Sequence, residues 1–247
     1  MSFFGKRNQG TPQDIVKVPQ HIAFIMDGNG RWAQQRHMPR TYGHQAGMES
    51  MRKVIRKCGE LGIRVVTFYT FSTENWKRSP SEVDFLMRLP IEFMEQDLPE
   101  LMANETKLVL SGSLEGVPAR TAEALLRGVS ETKENQKLIV NLAFNYGGRD
   151  ELVRGIKKIS MDILEQRIIP SQITEQFIQS YLDQPELPDP DLMIRTGGEQ
   201  RLSNFLLWES AYTEFYFAQE YWPEMNAELL EKILLDFAGR KRRFGGL

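Results

Sequence analysis

The chain has 247 residues, 41% of them hydrophobic, and a net charge of −2; it can bury a substantial core, and its balanced charge excludes a general nucleic-acid binder. A single cysteine, Cys58, excludes an internal disulfide and a cysteine-cluster metal site. No apolar run approaches the roughly 20 residues of a membrane span, and "MSFFGKRNQG" lacks the apolar core of a secretion signal, so the expected home is cytoplasmic and reducing.

Residues 1–18 read as a flexible N-terminal segment ahead of one domain, 19–247. Six short apolar runs read as strands: Ile22–Met26, Ile63–Thr70, Lys107–Ser111, Leu138–Phe144, Leu192–Arg195 and Phe215–Phe217. Helical spacing lies between them. His44, Met48, Met51, Ile55 and Cys58 share one stripe. Ser79–Leu98 reads as a helix from about Pro80, kinked at Pro90 and apolar on two faces. Leu152, Ile156, Ile159 and Ile163 make a further amphipathic stretch. Leu230, Ile233, Leu234 and Phe237 make another, with Gly239 as its C-cap. Strand–helix alternation with doubly buried strands predicts a single α/β domain with a central, mostly parallel sheet flanked by helices. "DQPELPDPD" (Asp183–Asp191) is a Pro-rich loop inside that domain.

In such sheets ligands sit beyond the carboxyl ends of the strands, and three chemistry-bearing segments fall there. "DGNGRW" (Asp27–Trp32) follows the first strand. Its glycines admit positive φ and close backbone approach, and its free N–H groups with Arg31 make an anion cradle. Asp27 suits Mg²⁺, which takes a carboxylate or two together with phosphate oxygens and water. A capped tight turn is the plainer reading. "FSTENWKR" (Phe71–Arg78) follows the second strand and sets Ser72, Glu74, Asn75 and Arg78 beside the plate of Trp76, for which plain packing is the alternative. "RTGGEQRLSN" follows the late strand, with Arg195, Arg201 and Ser203 suited to a second phosphorylated group or to a solvated loop. His44, at the start of a helix, reads either as a core histidine or as a phosphate contact.

The motifs "HIAFIMDGNGRWA", "GHQAG", "FYTFSTENWKR", "NLAFNYGGR", "IRTGGEQRLSNFLLWESAYTEFYF" and "RRFGG" occur in this order across nearly the whole chain. In them the chain resembles the cis-prenyltransferases, specifically the bacterial undecaprenyl diphosphate synthase branch. The aspartate-rich DDxxD motif of the trans enzymes is absent. The resemblance implies Mg²⁺ as cofactor, farnesyl diphosphate as allylic substrate, isopentenyl diphosphate as extender, and a hydrophobic product tunnel. It implies undecaprenyl diphosphate as product, the precursor of the lipid carrier for cell-wall polysaccharide, or else the same chemistry with a shorter or longer product. By similarity Asp27 and Asn75 are catalytic. Gly28, Asn29, Gly30, Arg31, Trp32, Arg40 and His44 belong to the allylic diphosphate. Ser72, Thr73, Glu74, Trp76 and Arg78 line the junction between substrates, and Arg195, Arg201, Leu202 and Ser203 take the isopentenyl diphosphate. Asp27 and Glu214 are the implied metal ligands. "RRFGG" completes the partner subunit's site, which implies a homodimer, and the lipid product implies transient membrane contact. With the resemblance, the Ser79–Leu98 helix and Met48, Met51 and Ile55 become tunnel walls and Leu138 its floor. A phosphatase with a strand-ending aspartate is a rival reading, but it needs a second Asp where Asn29 stands. A non-catalytic partner subunit is the other, but such chains lose the motif residues that are kept here.

Overall fold

In the computed structural model, which describes residues 18–240, the first apolar run becomes β1 (His21–Ile25), buried at every position. Except for Val18, the expected flexible segment lies outside the described residues, as does "RRFGG". The other strands are β2 (Val65–Ser72), β3 (Thr106–Ser111), β4 (Leu138–Tyr146), β5 (Leu192–Arg195) and β6 (Glu214–Phe217). They form one sheet in the order β3-β4-β2-β1-β5-β6, with every neighbouring pair parallel. All six expected strands are present, and the sheet is wholly rather than mostly parallel.

Strand alternation divides the core in two. Ile22 and Phe24 face a large cluster with Val54 of α2 (Arg40–Glu60), Phe93 of α3 (Pro80–Ala103), Leu125 of α4 (Ala119–Glu131) and Leu234 of α7 (Ala227–Gly239). Ala23 and Ile25 face a smaller cluster with Tyr146, Met193, Phe205 and Leu206. Tyr146 OH donates to Glu151 of α5 (Gly148–Leu164), which ties that helix to the second face. Two short helices, α1 (Asn29–Gln35) and α6 (Glu175–Gln179), complete the fold. His21 is a satisfied core histidine: Nδ1 meets Pro188 O at 2.6 Å and Nε2 meets Thr67 Oγ1 at 2.7 Å. Burial lowers its pKa to about 4, so it is neutral.

Three expectations need correction. The long helix runs five residues beyond Leu98, to Ala103, and holds Pro99 as well as Pro90. Gly239 is the last residue of α7 rather than a left-handed cap; the cap position is Arg240, with φ −78°. On α5 the buried face is Glu151, Gly155 and Ile159, while Ile156 is 59% exposed, because a one-residue offset on a helix turns the stripe by about 100°.

The chain places β2 on one side of β1, builds β3 and β4 beyond it, and returns to place β5 on β1's other side. This reversal opens a crevice above the carboxyl ends of β1 and β5, where open α/β sheets hold ligands.

Candidate active site

Asp27 stands two residues beyond the end of β1, fixed by its backbone. Its N–H donates to Ile25 O at 2.9 Å, and its carbonyl accepts from Thr196 Oγ1 at 2.7 Å and Trp222 N at 3.0 Å. Its carboxylate lies between two guanidiniums, Arg31 Nη2 at 3.0 Å and Arg195 Nη2 at 2.9 Å. Burial pushes this carboxyl up, and the hydrogen bonds from Arg195 and Arg31 more than offset it, so the group sits below the usual carboxylate range and is ionised.

Arg195 ends β5 and is buried. Its fork reaches Asp27, Ser203 Oγ at 2.7 Å and Arg201 O at 2.5 Å, while its Nε has no hydrogen-bond partner among the described residues. A buried guanidinium with a spare donor is suited to an anion. Ser203 and Asn204 hold left-handed backbone (φ 50° and 66°), which turns this loop back over the sheet edge.

The segment after β2 closes the opposite wall. Asn75 Oδ1 accepts the Ser72 N–H at 3.0 Å, so its NH₂ is the group left for a ligand. Trp76 Nε1 donates to Asn145 Oδ1 at 2.8 Å. Ser72, Glu74, Asn75 and Arg78 line a cleft of about 490 Å³ together with Asp27, Arg195 and Ser203. The three segments expected to converge do so. Beside the cleft lies an apolar cavity bounded by Met26, Met48, Met51, Leu89 and Phe144, with Asn29 and His44 at its polar end.

The remaining sequence-predicted residues are distributed around this centre. Gly28 has φ +101°, and a Cβ there would meet Tyr221 Cδ1 at 2.4 Å, so only glycine fits the turn. A Cβ on Gly30 would fall 2.7 Å from Arg40 Cζ, which brings Arg40 to the same cradle. Trp32 stacks under Arg36 with the cation 4.2 Å from its ring, outside the cleft. Thr73 packs against Gly147, and Leu202 against the second core cluster. The side chain of Arg201 points to Glu199 at 2.5 Å on the surface and does not line the cleft. Glu214 is not brought to Asp27. It pairs in register with Leu192, which pairs with Ile22, so it stands at the opposite end of the strands and meets Arg240 at 3.3 Å. Five positions along β1 amount to about 16 Å, so one chain's Asp27 and Glu214 do not share a metal ion.

The comparisons with known proteins agree with this geometry. A family model for undecaprenyl diphosphate synthase matches residues 25–245. The chain belongs to the undecaprenyl diphosphate synthase family. An isoprenyl transferase of Clostridium perfringens is 45% identical over 100% of this chain and 99% of its own length. One of Streptococcus pneumoniae is 47% identical, over 99% of each. The structure of lavandulyl diphosphate synthase from Lavandula x intermedia, in complex with dimethylallyl diphosphate, superposes with TM-score 0.90 at 34% identity, over 92% of this chain and 98% of that one. A probable undecaprenyl diphosphate synthase from Campylobacter jejuni superposes with TM-score 0.77 at 32% identity, over 94% and 100%.

In this synthase-family chain, two groups escaped the sequence reading. Glu82 gathers three side chains, two guanidiniums and an imidazole: Arg78 Nη1 at 2.7 Å, Arg40 Nε at 3.3 Å and His44 Nε2 at 3.2 Å. Burial raises its carboxyl, the hydrogen bond from His44 and the charges of Arg78 and Arg40 outweigh that, and the group is ionised. Burial likewise lowers His44, against the Glu82 hydrogen bond, so its imidazole is neutral. The signal was present, since Glu82 follows Arg78 by four residues and Ser79 by three, but that spacing reads as an ordinary helix cap. Asn204 ties three loops by donating to Glu74 Oε1 at 2.9 Å and accepting from Arg149 N at 2.9 Å and Gly148 N at 2.7 Å. No local pattern announces it.

Proposed function

We propose that the protein is a cis-prenyltransferase that condenses isopentenyl diphosphate onto farnesyl diphosphate to make undecaprenyl diphosphate. The observation that carries the reading is the position of Asp27, ionised between Arg31 and Arg195, in a polar cleft that adjoins an apolar cavity. A diphosphate with a hydrocarbon tail needs that juxtaposition. The domain spans residues 19–247. A product of other length made by the same chemistry is the second reading.

The donor set suits Mg²⁺. Among the described residues no cluster of three or more His, Cys, Asp or Glu forms a protein cage, and this ion takes one or two carboxylates with substrate phosphates and water. Asp27 would hold it, and the ion would neutralise charge gathering on the leaving diphosphate. Glu214 has no place in that set within one chain.

The residues of the cleft do the rest. Arg31, the backbone at Gly28–Gly30, Arg40 and His44 hold the allylic diphosphate, and its tail enters the apolar cavity. Arg195 and Ser203 hold the isopentenyl diphosphate, with the spare Nε–H of Arg195 as a further donor. As the allylic C–O bond breaks, the electron pair stays on the diphosphate and the guanidiniums stabilise it. The isopentenyl double bond attacks the allylic carbon, and a proton is lost to leave the cis double bond. Asp27 and Glu74 are held below the usual carboxylate range and are weak bases. Asn75 is a neutral amide already bonded through its oxygen, so it orients substrate as a donor, and a diphosphate oxygen takes the proton.

A homodimer is part of the proposal. Val153, Ile156, Met161 and Leu164 leave an apolar face of α5 exposed, a surface suited to a second copy of the chain. No helix among the described residues is long and apolar enough to cross a membrane. The protein works in the cytoplasm and touches the bilayer transiently as the lipid leaves.

The test is incubation of the full chain with farnesyl diphosphate, labelled isopentenyl diphosphate and Mg²⁺, with an EDTA control and mass analysis of the extracted lipids. A metal-dependent ladder ending at eleven isoprene units is expected; no chain growth overturns the proposal. Asp27→Ala should lower turnover at least ~10²-fold, and near-normal turnover would remove Asp27 from the mechanism.

A further inference from the structure

Asn204 lines the cleft next to Ser203 and has no part in the proposed chemistry. Both polar atoms of its side chain are engaged by protein: Nδ2 donates to Glu74 Oε1 at 2.9 Å, and Oδ1 accepts from Arg149 N at 2.9 Å. Its carbonyl accepts from Gly148 N at 2.7 Å. The first turn of a helix leaves N–H groups without intrahelical partners. Gly147, ahead of α5, supplies no side-chain cap, so Asn204 pairs two of those groups from another loop. Its backbone is left-handed (φ 66°), a conformation that asparagine tolerates better than most residues. A Cβ on Gly147 would fall 2.8 Å from both Asn204 Nδ2 and Thr73 Oγ1, so three segments close on one another here with no room to spare. We infer that Asn204 is a positioning residue: anchored on the start of α5, its amide holds Glu74 and so sets the distance between the loop that binds the extender diphosphate and the turn that carries Asn75. This rests on the proposed prenyltransferase function and concerns how its two walls are kept in register.

The attachments of the two walls carry the argument. Asn75 belongs to a single 3₁₀ turn, Thr73–Lys77. Trp76 fastens that turn to Asn145 of β4 at 2.8 Å. Arg78, just past its end, fastens to Glu82 of α3 at 2.7 Å. Only Glu74 joins the turn to the loop of Ser203, across 130 residues of chain. On the other wall, Ser203 Oγ meets Arg195 Nη1 at 2.7 Å, and Asn204 is the next residue. An extender held by Arg195 and Ser203 must place its double bond near Asn75, so the gap between the walls fixes the reacting geometry. An error of about 1 Å there costs on the order of 10²-fold in rate. Burial raises the Glu74 carboxyl, and hydrogen bonds from Asn204, Ser72 and Thr73 outweigh that, so the Asn204 amide donates to a charged acceptor. The allylic diphosphate is held elsewhere, by Arg31, Arg40 and His44, none of which touches Asn204. Loss of the Asn204–Glu74 bond should therefore be felt by one substrate and not by the other.

Asn204→Asp separates positioning from capping. It keeps an oxygen for the Arg149 N–H and puts negative charge at a helix N-terminus, where it is favoured, so the fold and the cap are retained. It also sets a carboxylate against that of Glu74. The KM for isopentenyl diphosphate should rise about tenfold, while that for farnesyl diphosphate stays within about twofold of wild type. Adding Glu74→Gln to Asn204→Asp restores the bond with donor and acceptor exchanged. The double variant should therefore have a lower KM for isopentenyl diphosphate than Asn204→Asp alone, although Glu74→Gln in the wild-type chain gives no such gain. Thermal melting of each variant checks the fold. If Asn204→Asp melts below the assay temperature, Asn204→Gly takes its place, since it keeps the left-handed backbone and the carbonyl for Gly148 N–H while losing the bond to Glu74. A folded variant with both KM values at wild type overturns the inference. So does a double variant in which the two single effects simply multiply, because the residues would then not act as a pair. A lowered Tm with wild-type KM values would reduce Asn204 to a cap of α5. No elongation by the wild-type chain overturns the proposed function itself, whereas normal elongation with unmoved constants in the variants overturns this inference alone.

Discussion

Gly43 is where a single methyl group should couple packing to chemistry. It lies on the first turns of α2, and a Cβ there would stand 1.9 Å from Asn29 O and 3.2 Å from Ala33 Cβ. The obstacle is backbone, not the end of a flexible side chain. Relief to an ordinary contact of about 3.4 Å requires a displacement of about 1.5 Å of α1 relative to α2. Asn29 is the first residue of α1 and follows Asp27 by two positions, so Gly43→Ala moves the turn that aims Asp27 and Arg31. Overpacking of this kind costs about 1–3 kcal/mol. At about 2–4 °C per kcal/mol in a chain of this size, a cost near 2 kcal/mol lowers Tm by about 4–8 °C. A misplacement of about 1 Å in a reacting constellation costs on the order of 10²-fold in rate. The assay pairs thermal melting with the initial rate of isopentenyl incorporation. Gly59→Ala is the control, since its Cβ meets nothing closer than 3.9 Å and replacing a helix glycine adds up to about 1 kcal/mol. A Gly43→Ala protein with wild-type Tm and a rate within about threefold would refute the reasoning, because it would mean that the α1–α2 contact does not hold the Asp27 turn in place.

Arg195→Lys keeps the charge but loses the fork that spans Asp27, Ser203 and Arg201 O; steady-state kinetics should show a raised KM for isopentenyl diphosphate and a fall in kcat/KM of ~10² or more, and a loss under about threefold would contradict it. Burial and the neighbouring Glu151 raise the carboxyl of Glu209 from about 4.5 to about 8, and its Oε2 has no hydrogen-bond partner among the described residues. The folded chain then keeps a proton that the unfolded chain has released, so stability falls as pH rises from about 4.5 to about 8 and is level above that. Glu209→Gln should therefore gain Tm relative to wild type at about pH 9 and gain less at about pH 5; equal differences at both would reject the assignment. Ile156→Glu changes an exposed position, so it should leave the monomer within about 0.5 kcal/mol but convert a dimer to monomers by light scattering. A variant that stays dimeric would place the interface elsewhere.

The amino-acid sequence by itself determined the strands and the ends that carry chemistry. Ile22–Ile25 is apolar at every position, so it had to be buried on both faces, and a polar, glycine-bearing turn after it had to lie at a sheet edge. The same logic located Arg195 and the segment from Ser72 to Arg78. These are local facts, because hydrophobic period and glycine conformation are written within a few residues. Tertiary structure decided what is set by sheet order and register. It put Arg195 and Asp27 side by side across 168 residues, and it sent Glu214 to the far end of its strand although its motif neighbours belong to the site. It turned Ile156 outward on α5, and it made Glu82 a hub for Arg40, His44 and Arg78, where its spacing had the form of a helix cap. A charged group's partners depend on which strands become neighbours, and that choice is made by burial of the whole sheet rather than by any short stretch of chain.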